Sequence, residues 1–341
     1  MDYSVLAAAV KDAVAEWRQH LDFDSAAKAI EDPVAFTAQI LPLVEQQLAL
    51  SGVTVGELRA IAQQEVFIHL PNAFETQGLD ETPSKFLPVP SSEGVLRAKA
   101  AAIAAMAVIG LQAVSYGSEN DGALFVNLVG IPGDGTTATK SKKEMRGHTD
   151  GASFPPRGQA DAVRPKIAPS PDVVCLVGLR NPDLIVTTVM PLPAIIKQLS
   201  EAYVNELKKP QFEIITQETF IKGTQRTIGE THIAENVAVL YYIDGNLATR
   251  FSHTRVTADN SEAATEALTA FKGACAECKE EVVIRPGDVL LVSNRYALHG
   301  RQVVGGEVGG ETRWLLRTYG LVAGAARPDQ FHSGSNFKLF P

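Results

Sequence analysis

Cysteine is scarce in this chain, with three among 341 residues. That count excludes a disulfide-stapled secreted scaffold. The N-terminal Met1-Asp2-Tyr3-Ser4-Val5 lacks the basic start and cleavage site of a signal peptide, so a cytoplasmic protein is expected. Long apolar runs are missing too. Ala100 to Leu111 is the nearest, and it is too short to span a bilayer, which excludes a membrane partner. There is no Lys/Arg-rich stretch, and the formal net charge is −8, which argues against a nucleic-acid partner. No paired-carboxylate or Ser/His/Asp arrangement stands out, so no side-chain acid, base or nucleophile is expected to carry the chemistry. Internal repeats and low-complexity segments are absent.

What is present is ordinary for a globular protein: 45% hydrophobic and 21% charged residues. The length suits one elaborated domain over 1–341. Three- and four-residue apolar spacings predict helices from Val5 to Leu21, Val34 to Leu50 and Val55 to Glu65, with an alanine-rich helix from Gly94 to Val114. Asp32-Pro33 is a sound helix start. Past Gly122 the pattern turns to short runs rich in Val, Ile and aromatics. They run Leu124 to Val129, Val173 to Leu179, Ile185 to Val189, Phe212 to Ile215, Val237 to Ile243, Val282 to Ile284, Val289 to Val292 and Trp314 to Tyr319. Two helices, Leu192 to Lys208 and Ser261 to Gly273, interrupt them. Helices first and many short strands after predict a mainly β protein with flanking helices: a jelly-roll sandwich core over 116–325, helical support over 1–115 and a tail over 326–341.

Two distant motifs carry the chemistry. One is Arg146-Gly147-His148-Thr149-Asp150-Gly151. The other is Ser293-Asn294-Arg295-Tyr296-Ala297-Leu298-His299-Gly300-Arg301, followed by Arg313-Trp314-Leu315-Leu316-Arg317. On an extended strand His148 and Asp150 point to the same face. Two imidazoles and one carboxylate hold Fe(II) on one triangular face and leave the opposite face open. An arginine soon after the second histidine suits a dicarboxylate beside that metal. These parts together predict an iron oxygenase that consumes 2-oxoglutarate and O2. Of the other histidines, His20, His69, His232 and His332 read as structural, and His253 is the one exception to weigh. Cys275 and Cys278 have half a zinc site's spacing but no second pair, and read as loop or surface residues.

These motifs resemble the Fe(II)/2-oxoglutarate-dependent oxygenases of the TauD/clavaminate-synthase-like superfamily, and especially the branch that hydroxylates free amino acids. The likeness runs from about Gly122 to Leu321 and is thin over the N-terminal helices. It implies a double-stranded β-helix core, with His148, Asp150 and His299 as iron ligands. It further implies that Arg313 pairs with the distal carboxylate of 2-oxoglutarate. Thr188 matches a threonine bonded to the same carboxylate, with Thr187 as its alternative. Arg317, four residues beyond Arg313 and so on the same strand face, matches an arginine that meets the substrate carboxylate. The presence of Asp150 speaks against halogenation, which needs a small residue there. Many hydroxylases of the branch carry Glu in its place, which weakens transfer of any one member's substrate.

For the substrate's amino group the chain offers Glu119 and Asp121, in the turn before the strand leading to the metal motif. Gly133-Asp134-Gly135-Thr136-Thr137 lacks the Gly-Lys-Ser/Thr ending of a phosphate loop, so Gly133 to Lys143 is read as a lid. The expected activity is hydroxylation of an unactivated C–H bond of a small carboxylate-bearing substrate, a free amino acid or a derivative. The alternatives are desaturation or cyclisation by the same iron chemistry, and a non-oxidative cupin-type metalloprotein.

Overall fold

The computed structural model describes residues 3–62, 64–258, 261–305 and 307–341. Five helices dominate the N-terminal third: α1 (Ser4–Gln19), α2 (Phe23–Glu31), α3 (Pro33–Leu50), α4 (Val55–Ala62) and α5 (Glu93–Val108). Asp32 caps α3 by accepting from the backbone of Val34 and Ala35 at 3.0 and 3.1 Å, with Pro33 in the first turn. Phe36, Ile40, Val44 and Leu48 then form its buried stripe. α5 is buried nearly all round because alanines let its neighbours approach from every side.

Two strands lie among these helices, β1 (Phe67–Leu70) and β2 (Leu111–Tyr116). The helix expected to reach Val114 therefore ends early. Gly110, at φ 85°, stops it, and the apolar run beyond continues as strand. The expected boundary at 115 falls inside β2. Downstream come β3 (Val126–Val129), α6 (Thr136–Lys142), β4 (Met145–His148), β5 (Val173–Arg180) and β6 (Val186–Pro191). Next are α7 (Leu192–Lys197), α8 (Glu201–Leu207), β7 (Phe212–Ile215), α9 (Glu218–Ile228), β8 (Ile233–Val237), β9 (Leu240–Ile243), β10 (Asn246–Thr249) and β11 (Val256–Ala258). The chain closes with α10 (Glu262–Glu277), β12 (Glu280–Val283), β13 (Val289–Ser293), β14 (Ala297–Arg301), β15 (Trp314–Val322) and β16 (Lys338–Leu339). The single helix expected from Leu192 to Lys208 is two, because Ser200 caps a fresh start at α8. α9 was not foreseen.

A major sheet runs β1-β13-β5-β15-β2-β16, with β3 also on β15; a minor sheet runs β12-β6-β14-β4. From β3 to β6 successive sheet strands alternate between the two, and they do so again from β12 to β15. That is the winding of a double-stranded β-helix, the jelly-roll expected from the sequence. Side-chain alternation sorts the cores. Val174, Leu176, Leu315 and Tyr319 face the sandwich interior with Val189 and Ala297 of the minor sheet. Cys175, Val177, Trp314 and Leu316 face the N-terminal helices. On the minor sheet's outer side, Met190 and Leu298 pack against α7, α8, α10 and the small strands β7 to β11. Cys275 belongs to that core. It is buried on α10, which pushes its thiol up to about 12, so the loop or surface reading is corrected. Among the described residues, no helix is long and apolar enough to cross a membrane.

Candidate metal centre

His148 of β4 lies directly opposite His299 of β14, so both project from the same face of the minor sheet. Ala297, of the same parity as His299, faces the interior, so that face is the inner one. A register shift between His299 and Arg301 leaves Arg146 and Gly147 opposite Gly300, a bulge that turns the end of β4. Gly300 has to be glycine. A Cβ there would meet the carbonyl of Met145 at 2.3 Å and the Thr188 hydroxyl at 2.9 Å.

Asp150 follows β4 and completes the cluster. Its two oxygens lie 3.6 Å from His148 Nε2 and 3.6 Å from His299 Nε2. One ligand atom from each residue falls within 4.8 Å of the others. The His148 Nδ1 is 2.9 Å from the carbonyl of Arg146, which fixes that nitrogen as the donor and leaves Nε2 with a lone pair. Burial, reinforced by His299, pushes His148 down to about 4, so it is neutral at ordinary pH. Burial opposes the charge on Asp150, but His299, Arg317 and His148 outweigh it and hold the carboxyl below the usual range. Two imidazoles and a carboxylate on one face fit a divalent first-row ion.

Side-chain amides hold Asp150 in place. Asn294 accepts from the Asp150 backbone N–H and donates to its carbonyl, each at 2.8 Å, and donates to Pro171 O at 2.9 Å. From the other side Gln217 accepts from Gly151 N at 2.8 Å and donates to Thr149 O at 3.2 Å and, weakly, to Asp150 Oδ1 at 3.4 Å. Gln217 stands at the N-terminus of α9 without capping it, and α9 also closes on the Glu119 turn. A Cβ on Gly223 would sit 1.9 Å from the Ser118 carbonyl. Asn294 stands inside a motif quoted above; nothing local in the sequence marks Gln217.

Alternation along β15 puts Leu315, Arg317 and Tyr319 on the inner face, and Arg313, just before the strand, has the same parity. Arg313 is buried, and among the described residues no anion lies beside it and its Nε has no partner. Burial, with Arg301 nearby, pushes it down to about 9. Arg301 shares the face of His299 and donates to Lys143 O at 2.8 Å. Arg317 is different: its Nη2 lies 2.7 Å from Glu119 Oε2, and its Nη1 is 4.0 Å from Asp150 Oδ2. Tyr319 donates to the same Glu119 oxygen at 2.9 Å.

Three expected positions shift. Thr188 pairs with Gly300 and Glu281, and its parity is that of Met190, so it lies on the outer face of the minor sheet. Thr187 pairs with Val282 and Arg301 and faces the interior, so the threonine on the Arg313 side is Thr187. Asp121 is exposed and pairs with Arg226 at 3.0 Å, away from the cluster; Glu119 alone of the two turns inward. His253 sits in a turn outside the metal cluster, its backbone N–H on Gly147 O at 3.2 Å. The Gly133 to Lys143 stretch contains α6 rather than an open loop, and Val304 N bonds to Lys142 O at 2.8 Å.

No known protein-family profile matches the chain. Solved structures do. An asparagine oxygenase in complex with Fe(II), 2S,3S-3-hydroxyasparagine and succinate aligns with a TM-score of 0.74 at 20% identity, covering 100% of this chain and 98% of that one. The non-heme iron oxygenase OrfP, in complex with Fe, succinate and (3S)-hydroxy-L-Arg, aligns with a TM-score of 0.75 at 19% identity, over 99% and 98% of the two chains. OrfP with Fe and alpha-ketoglutaric acid gives 0.72 at 20% identity, over 98% and 97%. These likenesses establish that the fold is shared along the whole chain, N-terminal helices included.

Proposed function

We propose that the protein is an Fe(II)- and 2-oxoglutarate-dependent dioxygenase that hydroxylates an unactivated C–H bond of a free α-amino acid or a close derivative. The observation that carries this reading is the grouping of His148, Asp150 and His299 within 4.8 Å, together with a buried Arg313 that has no anion beside it among the described residues. Whole-chain likeness to oxygenases whose complexes hold iron, alpha-ketoglutaric acid, succinate and hydroxy-amino acids supports it.

His148, Asp150 and His299 would hold the iron. Fe(II) held there would activate O2, the oxidant, so that conversion of 2-oxoglutarate to succinate and CO2 is coupled to insertion of the second oxygen atom into the substrate. The rest of the work is positioning and exclusion of water. Arg313 receives the distal carboxylate of 2-oxoglutarate, which neutralises a cation the fold leaves bare, and Thr187 adds a hydroxyl from β6. Glu119 receives the substrate ammonium through Oε1, a buried acceptor with no partner among the described residues. Arg317 receives the substrate carboxylate and sits beside Asp150, which brings the Cα end of the substrate close to the metal. A non-oxidative cupin-type role would leave Arg313 without a purpose.

The test is anaerobic binding followed by turnover. The purified protein with Fe(II) and 2-oxoglutarate should develop visible absorption, and on admission of O2 it should release succinate in a manner stimulated by one of the twenty L-α-amino acids. Iron binding with no 2-oxoglutarate-dependent absorption and no succinate release would overturn the reading.

A further inference from the structure

Tyr319 has no part in the reading above, and the inference drawn from it rests on that reading. An arginine and a carboxylate that meet in a buried place ordinarily close as a two-point fork. The Arg317–Glu119 pair does not. A single contact joins them, Nη2 to Oε2 at 2.7 Å. Glu119 Oε1 and Arg317 Nε are both buried, and neither has a partner among the described residues. Leaving a buried donor and a buried acceptor idle is costly when closing the fork would satisfy both, so something holds the fork open.

The hydroxyl of Tyr319 donates to the same Oε2 at 2.9 Å. Two donors then converge on one oxygen of Glu119 and none on the other. The Tyr319 ring also lies against the guanidinium, 4.6 Å from Arg317 Cζ to the ring centroid. Tyr319 is itself pinned. It is buried on the inner face of β15, and its ring packs edge-on to Tyr116 at 5.7 Å and 77°. Tyr116 in turn packs against Phe154 and against Phe220 of α9.

We propose that Tyr319 is a positioning residue that keeps the Glu119–Arg317 pair split, and that this split makes the site specific for a zwitterion. Oε1 is kept for an ammonium and the remaining guanidinium N–H groups for a carboxylate. Both charges of an α-amino acid are then met by groups that are already desolvated and already oriented. Without the hydroxyl, Glu119 turns, the fork closes, and the acceptor for the ammonium is lost although both charged residues remain.

Tyr319→Phe keeps the ring and removes only the hydroxyl. In the variant, KM for the best of the twenty L-α-amino acids should rise by about ten-fold, the scale of one buried hydrogen bond, with KM for 2-oxoglutarate unchanged within about two-fold. The wild type's preference for that amino acid over its deamino carboxylic acid should shrink by a similar factor, which a merely structural tyrosine would not change. Crystal structures of ligand-free wild type and variant supply a readout independent of turnover. Glu119 Oε1 should be free in the wild type and bonded to Arg317 in the variant. An unchanged amino-acid KM, an undiminished preference, or an Oε1 still free in the variant overturns the inference. Should the variant not fold, the wild-type crystal structure decides: a closed Glu119–Arg317 fork with the Tyr319 hydroxyl elsewhere overturns it. A wild type that releases no succinate with any amino acid sinks the oxygenase reading instead, and the crystallographic comparison still judges Tyr319.

Discussion

Arg313, just before β15, and Arg317, within it, stand four residues apart and share the inner face, yet their surroundings are opposite. Among the described residues the charged group near Arg313 is another cation, Arg301. Arg317 has Glu119, Asp150 and Tyr319 around it, and Glu119 with the other oxygens raises its affinity for the proton in spite of burial. The contrast shows how a ligand's charge can be read from a protein without the ligand. A bare buried cation is stable only when something anionic arrives, which suits a dicarboxylate co-substrate that brings its own charge. A cation already matched to an anion, with one group on each left idle, suits a guest that is neutral overall and charged at both ends.

The largest effect comes from removing what the two halves share. Asp150→Ala, and equally His148→Ala or His299→Ala, should abolish iron-dependent succinate release and the visible absorption with Fe(II) and 2-oxoglutarate, while the fold persists by circular dichroism. Full activity in any one of the three removes that residue from the ligand set. Next, the two arginines should respond to Met with opposite signs in stability. Arg317→Met leaves Glu119 buried and unpaired, and urea unfolding should show a loss of about 3–5 kcal/mol. Arg313→Met removes an uncompensated charge, and the ligand-free protein should gain about 0.5–2 kcal/mol. The same Arg313 variant should lose 2-oxoglutarate affinity by about 2–5 kcal/mol, tens- to thousands-fold in KM. Equal destabilisation by both substitutions would erase the contrast.

Glu119→Gln probes the matched half alone. KM for the amino acid should rise by about 1.5–3 kcal/mol in apparent binding energy, with 2-oxoglutarate unaffected. A parallel rise in both constants would mean that the two subsites are not separate. The smallest effect separates neighbours. Thr187→Val should weaken 2-oxoglutarate by about 0.5–1.5 kcal/mol and Thr188→Val should not, because only Thr187 faces the interior. The reverse result would return the hydroxyl to Thr188.

Much of this site was legible because its spacing survives folding. His148 and Asp150 are two apart and Arg313 and Arg317 four apart, spacings that suit one face of an extended chain; Asp150 itself lies in a turn after β4, where Asn294 and Gln217 hold it. Tyr319 obeys the same parity and was within reach of the argument; it was missed because a tyrosine in a core strand reads as packing. Thr187 and Thr188 were not separable, since adjacent residues point to opposite faces and only the register with β12 and β14 assigns them. The jelly-roll was readable from its punctuated strands. β2 was not, because the apolar run leaving α5 carries no polar alternation to mark the switch from helix to strand. α9 escaped because it is polar, contains Gly223, and gains its place from contacts with the Glu119 turn and the Asp150 loop.

The last residues of the chain have a use that their distance from the metal motifs in sequence conceals. Ser115 N bonds to Phe337 O at 3.1 Å, Gly117 N to Leu339 O at 2.9 Å and Ser118 N to Pro341 O at 2.8 Å, while β16 runs parallel to β2. The backbone leading into Glu119 is thus laced to the tail one rung at a time. Trimming residues 339–341 would untie the rungs nearest the carboxylate and leave the iron ligands alone. A proteolytic nick there would free the Glu119 turn while the hydrogen bonds around Asp150 stay in place.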